Sequence, residues 1–132
     1  MKDTIAFCIT KLYREFLVYT TEELKKLGLN FGQMPLILYA GKHPGCSQAD
    51  LTKSLKLDWG YSQRSIVKLV NGGFIMKEYD RDEACNCLKL TPAGINAFDV
   101  CHRVFNSWDE LKTENLNAEE KKTLMYLLKK IS

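Results

Sequence analysis

The 132-residue sequence predicts a mainly α fold carrying one small β-hairpin: a winged helix-turn-helix with further helices before and after it. Three observations lead there. Two short helical segments, 48-QADLTKSL-55 and 59-WGYSQRSIVKLVN-71, are joined by about three residues, the spacing of a helix-turn-helix. Directly afterwards the period changes from helical to extended. The stretches 74-FIMKEYD-80 and 85-CNCLKLT-91 read as two strands around the polar tip 80-DRDEA-84. The flanking segments, 4–27 and 92–131, repeat apolar residues at three- and four-residue steps and carry more apolar face than so small a domain needs.

Each element has its own local warrant. In the first helix, Ile5, Cys8, Ile9, Leu12, Phe16, Leu17, Leu24 and Leu27 form the apolar positions, and Gly28 ends it. A second helix over residues 32–40 buries Met34, Leu36, Ile37 and Leu38 in part before 41-GKHPG-45 breaks it. Ser47 is a good N-cap for the third helix. Asp58 caps the fourth, whose Ile66, Leu69 and Val70 share a face with Ser62, and Gly72-Gly73 stops it. Thr91 caps the long helix 92–112, with Pro92 at its first position. This helix is expected to bury Ile95, Phe98, Val100 or Cys101, Val104, Phe105, Trp108 and Leu111. The last helix opens at Asn117 with Glu120 at the capping-box position, and Leu124, Leu127, Leu128 and Ile131 form its stripe.

Composition narrows the function classes. Apolar residues make up 45% and charged residues 27%, a balance suited to one soluble domain. No apolar run reaches the roughly 18 residues of a membrane span. Asp3, Lys11, Arg14 and Glu15 interrupt the N-terminal stretch, so it does not read as a secretion signal, and a cytoplasmic location is expected. The five scattered cysteines favour reduced thiols over a disulfide framework. No phosphate-binding glycine loop, metalloprotease motif or nucleophile–base pairing is present, so neither an enzyme nor a cofactor is expected.

Five stretches make the chain resemble the MarR family of transcriptional regulators over nearly its whole length: 27-LGLNFGQMPLI-37, 44-PGCSQADLTKSL-55, 64-RSIVKLVNGGFI-75, 90-LTPAG-94 and 118-AEEKKTLMYLLKKI-131. The resemblance implies a single chain, 1–132, in which residues 31–91 form the winged helix-turn-helix and residues 3–27 and 92–131 form dimerisation helices. It implies a homodimer that binds a pseudo-palindromic double-stranded DNA operator, commonly as a repressor, with a small-molecule effector bound between the two parts.

The residues themselves agree with that expectation. A recognition helix reads base edges with its N-terminal turns. Here those turns offer Trp59, Gly60, Tyr61, Gln63 and Arg64; Gln can pair with adenine and Arg with guanine. The outward face is expected to be 59, 60, 63, 64 and 67, with Lys68 at its edge within reach of a phosphate. Ser47 and Gln48 stand at a helix N-terminus, a natural phosphate site. Between Lys42 and Arg81 seven cations, Lys77 among them, face four anions, so this segment carries as much net charge as the whole chain, +3.

The wing departs from the family pattern. Counting back from Thr91 aligns Asp82 with the family's wing Asp, but Glu83 and Ala84 occupy its basic positions. Arg81 is the nearby substitute, and Arg64 matches the recognition-helix arginine that can pair with the wing Asp. An acidic tip would repel phosphates at short range. A winged-helix interaction module with weak DNA binding is therefore an alternative.

Two further features carry alternatives. Cys85 and Cys87 fall on one face of a strand, with Cys46 and Cys101-His102 as distant candidates to join them; C-x-C alone is a weak metal signal, and no metal site is expected. Cys8 in 8-CITKLY-13 invites comparison with a peroxide-sensing branch of the family, making thiol-based redox sensing the second alternative. Cys8 nevertheless lies about two residues nearer the Leu-Gly-Leu motif than that branch's cysteine, and Phe31 replaces a supporting tyrosine. Tyr13, Arg14, Phe16, Tyr19, His102 and Phe105 are expected to border an effector pocket, where an aromatic lining with one cation would suit a small aromatic acid.

Overall fold

The computed structural model of the chain describes residues 1–132. Its helices are α1 (Ile5–Lys25), α2 (Met34–Lys42), α3 (Gln48–Ser54), α4 (Trp59–Asn71), α5 (Pro92–Lys112) and α6 (Ala118–Ile131). Its strands are β1 (Cys46–Ser47), β2 (Ile75–Asp80) and β3 (Cys85–Leu90). No helix is long and apolar enough to cross a membrane.

The starts of α3, α4, α5 and α6 follow the capping chemistry read from the sequence, and Thr4 adds a cap for α1 that was not read there. The side chains of Thr4, Ser47, Asp58, Thr91 and Asn117 each accept a backbone N–H from the first turn of the helix that follows. Asn117 and Glu120 form the reciprocal capping box. Thr91 does more than cap: its hydroxyl also donates to the carbonyl of Gly73, tying the start of α5 to the end of the helix-turn-helix.

Two elements differ from the sequence reading. The second helix begins as a 3-10 turn over Phe31–Gln33 and continues to Lys42, two residues past the expected end at Ala40. Strand β1 was not expected. It pairs antiparallel with β3, Cys46 opposite Leu88 and Ser47 opposite Cys87, giving a three-stranded sheet in the order β1-β3-β2. A two-residue strand has no readable period, and its partner lies some forty positions away.

The core sits between the helix-turn-helix, the sheet and the middle of α5. Leu24, Leu36, Ile37, Leu51, Ile66, Leu69, Ile75, Leu88, Ala97 and Cys101 are buried in one cluster. Each large aliphatic side chain among them contributes on the order of 2 kcal/mol through apolar burial. Close approach is built into α5. A Cβ on Gly94 would lie 2.0 Å from the Phe74 carbonyl oxygen, and one on Gly41 would lie 2.2 Å from the Phe98 ring.

The outer helices correct the expected burial. On α5, Ala97, Cys101 and Val104 are buried, while Ile95, Phe105 and Leu111 are exposed. On α1 only Thr20 and Leu24 are buried; Ile5 is 73% exposed and Ile9 and Leu12 remain open. Helix α6 buries no residue at all. These apolar stripes exist as the sequence indicates, but the single chain provides nothing to cover them.

Candidate nucleic-acid interface

Helix α4 turns Ser62, Ser65, Ile66 and Leu69 inward. Helical geometry then directs Gly60, Arg64, Val67 and Asn71 to the opposite side, with Gln63 and Lys68 beside them. Gln63, Arg64, Val67 and Lys68 are exposed. Trp59 and Tyr61, half open, stand at the two margins of this face. The Tyr61 hydroxyl reaches Gly32 at the start of the 3-10 turn, so this side chain leans toward the body of the domain.

Gly60 has a local reason. A Cβ there would lie 3.1 Å from Arg64 Nη1 and 3.3 Å from Asp58 Oδ2. The Arg64 side chain thus folds back across the first turn of α4, through space that any other residue at position 60 would narrow. Neither Arg64 nor Asp82 enters an ion pair; the two salt bridges are Lys26–Glu23 and Lys112–Glu15.

Helix α3 is held against α4 by side chain and backbone together. Thr52 Oγ1 meets Ser62 Oγ at 2.6 Å in the interior, and the Leu57 N–H donates to the Thr52 carbonyl across the turn. Lys56 takes a left-handed conformation there, with φ 53°. At the N-terminus of α3 the Ser47 hydroxyl is used as a cap, accepting from the Asp50 N–H at 2.9 Å. Gln48 is only 7% exposed, so its side chain is largely turned away from solvent.

The wing is the β2–β3 hairpin. Its turn contains no glycine or asparagine. Asp80 Oδ1 instead accepts the backbone N–H groups of Asp82 and Glu83, and Ala84 adopts a left-handed φ of 50° to close the loop. Such a conformation costs an L-residue about 1–2 kcal/mol. Arg81, Asp82, Glu83 and Lys77 are all exposed. The tip therefore presents one cation beside two anions.

The cysteines divide by environment. Burial pushes the thiols of Cys46 and Cys101 up to about 11, with Asp50 adding to the effect at Cys46. The Cys85 thiol is also raised, by desolvation first and then by the adjacent Cys87. Cys8 is exposed on α1. Tyr13, five residues further along the same helix, packs edge-on to Phe31, with ring centroids 6.3 Å apart.

The six residues expected around an effector do not line a single pocket. Phe16 packs against Phe31, Phe105 and Trp108, with centroids 5.2 to 6.2 Å apart, and fills the space between the outer helices. His102 lies on Phe98 at 4.5 Å and faces outward. Tyr19 does border a cavity of about 310 Å³ between α1 and α5, together with Glu23, Lys26, Val100 and Arg103. Arg14 and Tyr19 border a neighbouring groove with Trp108 and Leu111. Lys26 and Arg103 were missed in the sequence, because a charged residue on an amphipathic helix gives no sign of the cavity it edges.

No family model matches the chain. It is 36% identical over 132 residues to the HTH-type transcriptional regulator BilQ of Clostridium symbiosum, covering 99% of this chain and 92% of that protein. It is 32% identical over 126 residues to the multiple antibiotic resistance protein MarR of Salmonella typhimurium, covering 87% of this chain and 88% of that protein. Among solved structures, a mutant MarR from E. coli complexed with operator DNA superposes with a TM-score of 0.78 at 25% identity, over 96% of this chain and 92% of that chain.

Proposed function

This chain belongs to the MarR family of transcriptional regulators, and from that premise we propose that it is a cytoplasmic homodimer that represses transcription from a pseudo-palindromic operator and is released by a small effector. Its relatives are DNA-binding regulators rather than enzymes. The observation that carries the DNA reading is the outward face of α4, where Gln63, Arg64 and Lys68 stand exposed around Val67. Gln63 and Arg64 supply hydrogen bonds to base edges, Val67 an apolar surface for a thymine methyl, and Lys68 a phosphate contact. On this reading residues 31–91 are the DNA-binding part, in which Trp59, Gly60 and Tyr61 shape the approach and Lys77, Arg81 and Asp82 bring the wing to the backbone.

Dimerisation is supported by the open apolar stripes. Ile5, Ile9 and Leu12 on α1 and Leu124, Leu127, Leu128 and Ile131 on α6 belong to the two ends of the chain, outside the winged helix. A second copy covering them would space two recognition helices one turn of DNA apart, about 34–36 Å. The cavity beside Tyr19, with Lys26 and Arg103 on its walls, supports a small aromatic acid as effector.

The test is binding of the full chain to the DNA upstream of its own gene across a salt series. A regulator gives a log–log salt slope of several units and a large preference over unrelated DNA, and Arg64→Ala removes most of that preference. A shallow slope with no preference would sink this reading. It would favour an interaction module with weak DNA binding, for which the acidic wing tip at Asp82 and Glu83 is the specific support.

A further inference from the structure

We propose that Cys85 and Cys87 form a two-thiolate site for a thiophilic monovalent metal ion of the Cu(I) class on one face of the wing. They are alternate residues of β3, so their side chains leave the same face of the sheet. The register sets Asp80 directly opposite Cys85 and Glu78 directly opposite Cys87, which brings two carboxylates to the same face as the two thiols. Both cysteines are half-buried, open enough to admit an ion. Cys87, Glu78 and Asp80 border a common hollow of about 410 Å³, along with Lys89 and Arg81.

The ligand count selects the ion. No three Cys, His, Asp or Glu side chains come together in a metal-binding cluster. Zinc, which takes four ligands, is poorly served by this pair. Soft thiolates select Cu(I), which is satisfied by two of them. Cys46 does not join: it pairs with Leu88, and so shares the face of β3 opposite to that of Cys87. On binding, two neutral thiols release two protons and take up one monovalent cation. The product is an anionic bis-thiolate complex, formed with no change in oxidation state. Lys89, two residues beyond Cys87, lies on the same face, where its charge opposes those of Glu78, Asp80 and the complex.

The experiment is an anaerobic titration of the reduced full chain with Cu(I), supplied as its acetonitrile complex and competed by bicinchoninate. One ion per chain is expected. Cys85→Ser and Cys87→Ser should each weaken uptake by at least about 100-fold, more than loss of an outer-shell partner gives. Cys46→Ser and Cys8→Ser should retain it, and Cys85→Ala replaces the serine variant should that one not fold. Unchanged uptake in the Cys85 and Cys87 variants, or loss in Cys46→Ser, overturns the proposal. The titration contains no DNA, so its outcome is independent of the reading of α4 as a recognition helix.

Discussion

Thr52 Oγ1 and Ser62 Oγ lie 2.6 Å apart, both side chains in the interior, and join the two helices of the helix-turn-helix. Thr52 Oγ1 also donates to the Gln48 carbonyl at 2.7 Å, so the Ser62 hydroxyl is left to donate to Thr52. A buried hydroxyl stripped of its partner costs about 1–3 kcal/mol. Thr52→Val should therefore destabilise the chain by that amount in urea unfolding. The double change Thr52→Val with Ser62→Ala should recover part of the loss, because no orphaned hydroxyl remains. A double variant as unstable as the two single losses added together would mean that the pair is not coupled.

Gly60 trades stability for the position of Arg64. Replacing a helix glycine by alanine gains up to about 1 kcal/mol where the new methyl has room. The new Cβ would press on Arg64 Nη1, 3.1 Å away, and displace the guanidinium from the first turn. Gly60→Ala should raise the melting temperature while lowering affinity for the operator. A variant that binds as tightly as the parent would show that Arg64 does not need this notch.

At the wing, Arg81 is the exposed cation beside Asp82 and Glu83, whereas Lys56 sits in the turn between α3 and α4. Arg81→Ala should weaken DNA binding more than Lys56→Ala, by about 1 kcal/mol or more if it contacts the backbone as an unshielded charge. Equal losses at matched salt would remove Arg81 as the substitute for the missing wing arginine.

Glu15 on α1 is paired with Lys112 at the end of α5. The hydrogen bond from Lys112, more than its charge, holds the Glu15 carboxyl below the ordinary glutamate range. A carboxyl lowered in the folded state stabilises that state above its unfolded value and loses the effect as pH falls through the folded value. The α1–α5 link should thus weaken from about pH 4 downward, and Glu15→Gln should flatten that part of the stability profile. An identical acid limb in the variant would assign the loss to other carboxylates.

The chain's local chemistry was legible from its residues alone. Asn117 with Glu120, Asp58 before Trp59 and Thr91 before Pro92 fix where helices begin, because a cap needs only neighbours in sequence. The inward face of α4 follows from the spacing of Ser62, Ile66 and Leu69. What the sequence left open depends on partners distant along the chain. Strand β1 exists because Cys46 and Ser47 meet β3, and Gln48 is buried because of what packs over α3. The same holds for the six aromatic and charged residues expected around one pocket. Their helical spacing is common to a filled core and a lined cavity, and only the approach of α1 to α5 separates Phe16, packed among rings, from Tyr19, beside open space. Periodicity reports which face of a helix is apolar. Tertiary packing decides what, if anything, covers it.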